Sequence, residues 1–159
     1  MTSSVLGRLA ELGLELPEVA APVATYVPAV RTGRYVYTSG QLPFVDGTLA
    51  ATGKVGDGEG LVGPLVAASL ARTAVLNALA AVASQIGSLD QVSRIVKVVG
   101  FVASDPSFTG QPAVVNGASV LLGEIFGEAG VHARSAVGVA VLPLDSPVEI
   151  VLVVELAEG

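Results

Sequence analysis

The sequence contains no cysteine. That excludes a disulfide framework and any thiolate-ligated metal. It contains one histidine, His132. A zinc site would have to be completed by carboxylates, and no spacing of Asp and Glu suggests one. Charge is scarce: 14% of residues are Asp, Glu, Lys or Arg, with a formal net charge of −6. A large nucleic-acid footprint needs clustered Lys and Arg, so none is expected. No uninterrupted apolar run reaches the roughly 18 residues of a membrane span. Met1 is followed by Thr2-Ser3-Ser4, not by a basic region and an apolar core, so no signal peptide is expected and the simple reading is a cytoplasmic protein. There is no Walker A sequence and no solenoid repeat.

What is abundant is apolar surface, at 52% of residues. One domain spanning residues 1–159 is expected, with a helical extension over 1–20. So much apolar surface with so little charge favours burial in an oligomer over a lone monomer.

Ser3 or Ser4 is suited to cap a helix carrying Val5, Leu9 and Leu12, ended by Gly13 and Pro17. Pro17 to Pro22 reads as an extended linker. Tyr26 to Val30 and Tyr35 to Ser39 read as strands joined by Arg31-Thr32-Gly33-Arg34, and Asp46-Gly47 marks a turn. Gly53 to Gly63 reads as a mobile glycine-rich loop. Its Gly58-x-Gly60-x-x-Gly63 spacing matches a dinucleotide fingerprint, but no strand feeds it. Pro64 suits the first residue of a helix to Ile86, with Gly87 past its end. Arg94 to Ala103 reads as a strand, and Pro112 to Gly127 as a second helix.

The stretch from His132 to Glu155 reads as a closing β-hairpin. Its strands are Ala133 to Leu142 and Pro147 to Leu156, about the turn Pro143 to Ser146. Alternation puts Val137, Val139 and Val141 on one face, with Val148, Ile150, Leu152 and Val154. The other face is small or apolar but carries Arg134 and Glu149. That register sets Arg134 opposite Glu155 and Ala140 opposite Glu149. Arg134 and Glu149 then lie about six residues apart, roughly 20 Å. A second apolar face suggests burial against something outside the chain. The element order is β-β-α-β-α-β-β after the N-terminal helix, an α+β fold with two helices on one face of a mixed sheet.

Arg134 and Glu149 are the charges to explain, since charge on an apolar face is costly unless paired, hydrated or used. Each reads equally well as a strand-edge charge. Ser39-Gly40-Gln41 is a turn whose glycine exposes an N–H to an anion or supplies positive φ. Tyr26, Tyr35 and Tyr37 read as packing residues. His132 reads as a loop histidine at a strand entry. A serine triad with Ser39 or Ser135 has no nucleophile elbow to support it.

Together these segments resemble the Rid family (reactive intermediate deaminases, also YjgF-like or L-PSP endoribonuclease-like). The matching pieces are Tyr26-Val-Pro-Ala-Val30, Ser39-Gly40-Gln41-Leu42-Pro43, Asn116, Arg134-Ser135-Ala136-Val137, Leu142-Pro143 and Val148-Glu149-Ile150. The resemblance implies a chorismate-mutase-like α+β fold and a homotrimer with clefts between subunits. It implies hydrolysis of enamines or imines such as 2-aminoacrylate to a 2-keto acid and ammonia, with no cofactor. Arg134 would hold the substrate carboxylate. Glu149 would position or activate water. Gly40 N–H, the Ala136 backbone, Ser39, Asn116 and Tyr26 would contact the substrate or line the cleft. Ala136 stands where the family often has cysteine, and Gly138 where it often has a charge, so the chain looks like a divergent branch. The alternatives are a non-catalytic trimeric module that binds small carboxylates, and a ribonuclease. The acidic balance and lone histidine weigh against the ribonuclease.

Overall fold

The computed structural model describes residues 4–21 and 24–159. Ser3 and Pro22, proposed above as a cap and a linker end, lie outside these. Helix α1 spans Val5–Glu11, and Ser4 caps it by accepting the Gly7 N–H at 3.0 Å. Val5 N–H donates to Asp90 Oδ1, and Leu9 is buried in the core. The extension is therefore docked onto the domain.

Strands β1 (Ala29–Thr32) and β2 (Tyr35–Thr38) form a hairpin that starts three residues later than the sequence suggested and turns at Gly33-Arg34. A short hairpin follows, β3 (Phe44–Val45) and β4 (Thr48–Leu49), about Asp46-Gly47. Then come α2 (Pro64–Ile86), β5 (Val92–Ala103), α3 (Gln111–Phe126), β6 (Ala133–Val139) and β7 (Val148–Leu156). Pro64 opens α2 and Gly87 closes it, as read from sequence. Helix α2 is long and apolar enough to cross a membrane, but 61% of its most apolar window is buried inside the domain. It is the core helix.

The sheet order is β1-β2-β7-β5-β6, with β6 parallel to β5 and the other neighbours antiparallel. This corrects the closing hairpin. Strands β6 and β7 follow one another in sequence, yet β5 lies between them. Strand β5, α3 and β6 form a strand–helix–strand crossover, the usual link between parallel neighbours.

Both helices cover one sheet face. Val98 and Val102 of β5 and Val148, Ile150, Leu152 and Val154 of β7 point into that core and are fully or almost fully buried. The two helices touch closely where α3 has Gly117: a Cβ there would lie 1.9 Å from the Ala68 carbonyl oxygen. The other sheet face is open. It presents Val30, Tyr35, Tyr37 and Val137, between 40% and 52% exposed, beside half-buried Val99, Phe101, Val151 and Val153. Tyr35 and Tyr37 therefore do not pack inside this chain, contrary to expectation.

The glycine-rich loop is not uniformly mobile. Val55 is fully buried, its N–H donates to the Ala103 carbonyl, and Asp105 N–H donates back to Val55. Lys54 pairs with Asp145, tying the loop to the β6–β7 connection. Among the described residues no strand runs into Gly58, so the dinucleotide spacing has no structural support.

Candidate functional site

Arg134 sits on β6 opposite Val98 of β5, a core-facing residue, so its side chain leaves on the helix-covered face. There it meets α3. Its Nη1 donates to Asn116 Oδ1 at 2.7 Å and to Ser119 Oγ at 3.2 Å, and Nη2 reaches the Pro112 carbonyl at 3.4 Å. Residues 116 and 119 are three apart on a helix and share a face, which is why both reach one guanidinium. Ala136 lies two residues along β6 on the same face, half-buried against the core.

Glu149 sits on β7 opposite Phe101, on the open face. It is half-buried and has no ion-pair partner among the described residues. Loss of hydration pushes its carboxyl above the ordinary value of 4.5. Gly40 lies directly against it: a Cβ at Gly40 would fall 2.0 Å from Glu149 Oε1. Gly40 has no positive φ, so glycine is needed here for close approach rather than for an unusual backbone. Its N–H meets no acceptor among the described residues. Gln41 and Ile150 exchange backbone hydrogen bonds of 2.8 and 3.0 Å, fixing Gly40 beside the strand. Ser39 donates its hydroxyl to the Val27 carbonyl at 2.6 Å, which holds the segment carrying Tyr26. A recess of about 30 Å³ lies here, lined by Tyr26, Pro28, Gly40, Gln41 and Phe44 among others. It has room for little more than one water.

The expected residues thus fall into two groups. Arg134, Asn116 and Ala136 stand on one side of the sheet; Glu149, Gly40, Ser39 and Tyr26 stand at the other. The shared-face geometry is corrected. Arg134 is level with Val98 and Glu149 with Phe101, on strands flanking β5. Three residues and two strand spacings put them on the order of 14 Å apart, on opposite faces. Arg134 does not meet Glu155 either; Glu155 pairs with Arg34 at 3.3 Å.

His132 is not placed by a strand end alone. Its Nε2 lies 2.8 Å from Ser119 Oγ and its Nδ1 lies 2.6 Å from the Gly130 carbonyl. The triad partners considered from sequence are elsewhere: Ser39 bonds Val27, and Ser135 accepts from Lys97. Ser119 was invisible as a partner because its role depends on the parallel register of β5 and β6. A larger cleft of about 720 Å³ lies between residues 15–21, the β3–β4 turn and α2, and shares Ala20, Ala21 and Phe44 with the recess beside Gly40. Among the described residues no cluster of His, Asp and Glu could hold a metal.

Comparison with known proteins gives a consistent result. Residues 6–156 match the protein family described as "YjgF/chorismate_mutase-like, putative endoribonuclease". Protein TCP17 of Trypanosoma cruzi is 43% identical over 153 residues, covering 96% of this chain and 94% of that protein. A Shewanella oneidensis crystal structure with the same endoribonuclease designation superposes with a TM-score of 0.92 at 36% identity, over 97% of this chain and all of that one. That coverage shows the N-terminal extension to be shared with this relative. Escherichia coli TdcF, solved with bound serine, matches at 25% identity and a TM-score of 0.65, over 88% of this chain and 94% of that one.

Proposed function

Because the chain belongs to the YjgF/chorismate mutase-like family, we propose that it hydrolyses enamines and imines of the 2-aminoacrylate type to 2-keto acids and ammonia. The clefts would lie between subunits of a homotrimer. One observation carries the reading. A guanidinium held by Asn116 and an unpaired, half-buried carboxylate stand on opposite faces of one sheet, too far apart to share a small ligand within one chain. Heterologous contacts in a cyclic oligomer bring one end of a subunit against a different end of its neighbour. The open apolar face supplies surface for such a contact.

In the scheme, Arg134 of one subunit holds the substrate carboxylate by parallel N–H bonds. Gly40 N–H and Glu149 come from the neighbour. The enamine takes a proton from solvent water at its terminal carbon to become an iminium ion. Glu149 removes a proton from water as the oxygen attacks the imine carbon, giving a carbinolamine. The proton then passes from Glu149 to nitrogen, and as the carbinolamine hydroxyl gives its proton back to Glu149 the C–N bond breaks, releasing ammonia and the 2-keto acid. Burial raises the basicity of Glu149 toward this task. The amino-acid ligand bound by the related TdcF is in keeping with a site for small carboxylates.

A second reading is a trimeric module that binds small carboxylates without turnover, since the fork on Arg134 requires no chemistry. The test is to generate 2-aminoacrylate in situ and follow ammonia and pyruvate release, with Arg134→Lys as control. Turnover that collapses in the variant supports the deaminase. Saturable carboxylate binding without turnover supports the module. The ribonuclease reading has against it the net charge of −6 and a histidine already engaged by Ser119 and Gly130.

A further inference from the structure

The carboxylate grip does not by itself account for the polar chain behind Arg134. His132 Nδ1 lies 2.6 Å from the Gly130 carbonyl. A carbonyl only accepts, so Nδ1 carries the ring hydrogen. Nε2 of the neutral ring is then a bare lone pair, 2.8 Å from Ser119 Oγ. The Ser119 hydroxyl must donate to it. With its hydrogen committed, Ser119 Oγ has only lone pairs to offer Arg134, and Nη1 takes one at 3.2 Å. The second Nη1 hydrogen goes to Asn116 Oδ1. Nη1 is thereby saturated. What remains is the Nε–Nη2 edge, whose one contact among the described residues is the long 3.4 Å approach of Nη2 to the Pro112 carbonyl. That edge is itself a two-donor fork matched to a carboxylate.

We propose that Ser119 and His132 are positioning residues for Arg134. His132, held by Gly130, fixes the polarity of the Ser119 hydroxyl, and the hydroxyl fixes which edge of the guanidinium faces the ligand. The inference rests on the reading of Arg134 as the carboxylate grip. A nucleophilic role for Ser119 is disfavoured by the same contacts, since a guanidinium already engages its oxygen. Side chains held by such supporting bonds keep a site in its productive geometry, and their loss loosens the site rather than removing it.

The single histidine makes the test direct. Imidazole ¹⁵N NMR under mildly alkaline conditions should show hydrogen on Nδ1 and a bare Nε2. Adding pyruvate as probe should shift the Nε2 resonance in the wild type and leave it in place in Ser119→Ala. By calorimetry, Ser119→Ala should bind pyruvate about tenfold more weakly, within the range for an outer hydrogen-bond partner. Ser119→Thr, which keeps the hydroxyl, should restore most of it. Should Ser119→Ala fail to fold, His132→Ala replaces it in the calorimetry, where about tenfold weaker pyruvate binding supports the inference and wild-type affinity overturns it. Hydrogen on Nε2, or wild-type pyruvate affinity in Ser119→Ala, overturns the inference. Arg134→Ala separates the two levels: undiminished binding there sinks the grip itself, whereas loss there with full binding in Ser119→Ala sinks only the positioning role.

Discussion

Gly40 and Glu149 are packed so closely that any side chain at position 40 must move the carboxylate. A Cβ there would lie 2.0 Å from Oε1 and within 2.9 Å of Cδ and Cγ. The colliding atoms belong to the outer part of a flexible side chain, so the fold can yield where the site cannot. Gly40→Ala should therefore keep its unfolding midpoint within a few degrees. It should lose on the order of 100-fold in kcat/KM for 2-aminoacrylate, the cost of misplacing a reacting group by about 1 Å. Steady-state kinetics together with thermal unfolding checks both halves. Unchanged kinetics would remove Glu149 from the chemistry.

Glu149 also links stability to pH. In the unfolded chain it ionises near 4.5, and burial holds the folded carboxyl above that value. Between the two values the folded state binds more protons, so stability falls as pH rises through the window. Above the folded value the loss is complete. Glu149→Gln, which carries no charge, should then be the more stable protein at pH 7 and should match the wild type below pH 4.5. Denaturant midpoints across that range are the measurement; a wild type that is more stable at pH 7 would mean the carboxylate has a partner in the assembly.

The two-sided placement of Arg134 and Glu149 makes subunit mixing informative. Light scattering should give a trimer at micromolar concentration. Arg134→Ala and Glu149→Ala trimers should each be impaired. Unfolded together and refolded at equal amounts, about a quarter of the clefts should pair an intact Arg134 with an intact neighbouring Glu149. Activity should return to that extent. Mixed trimers, confirmed by mass, with no gain would show that the cleft is not shared.

Gly117→Ala tests the helix contact beneath the site. The added Cβ would meet the Ala68 carbonyl at 1.9 Å, and backbone cannot swing aside. Overpacking of this kind costs about 1–3 kcal/mol, or roughly 2–4 °C in Tm per kcal/mol. Because Asn116 and Ser119 flank this position, affinity for pyruvate should fall along with stability.

The helices were legible because their ends are written in single residues: Pro64 and Gly87 about α2, and Gly127 after α3. The faces of β7 were legible because alternation survives burial, with Val148, Ile150, Leu152 and Val154 buried and Glu149 and Glu155 less so. Strand partners were not. Pro143 to Ser146 reads locally as a hairpin turn, and nothing nearby records that Val98 and Val102 separate the two strands. The signal that could have corrected it was β5 itself. It is apolar on both faces and followed by a helix and another strand, the mark of a central strand with a parallel neighbour. Arg134 and Glu149 stood out as charges on an apolar face and Gly40 as a turn glycine, while Asn116 and the roles of all four were reached through family resemblance. Ser119 and His132 were not, because their meeting depends on that parallel register.

The placement of β7 bears on how the chain is made. It comes last among the strands, yet it lies third of five, between β2 and β5. Until it is synthesised, the chain has two separate ribbons, β1–β2 and β5–β6, each with a bare hydrogen-bonding edge. Helices α2 and α3 have by then emerged with half a sheet to cover. The domain cannot close on the ribosome step by step; it closes when one late strand zips the ribbons together. Pairings so distant in sequence slow folding, and exposed edges invite pairing with other nascent chains. The pairing of β7 with β2 and β5 is therefore the contact on which closure of the whole sheet waits.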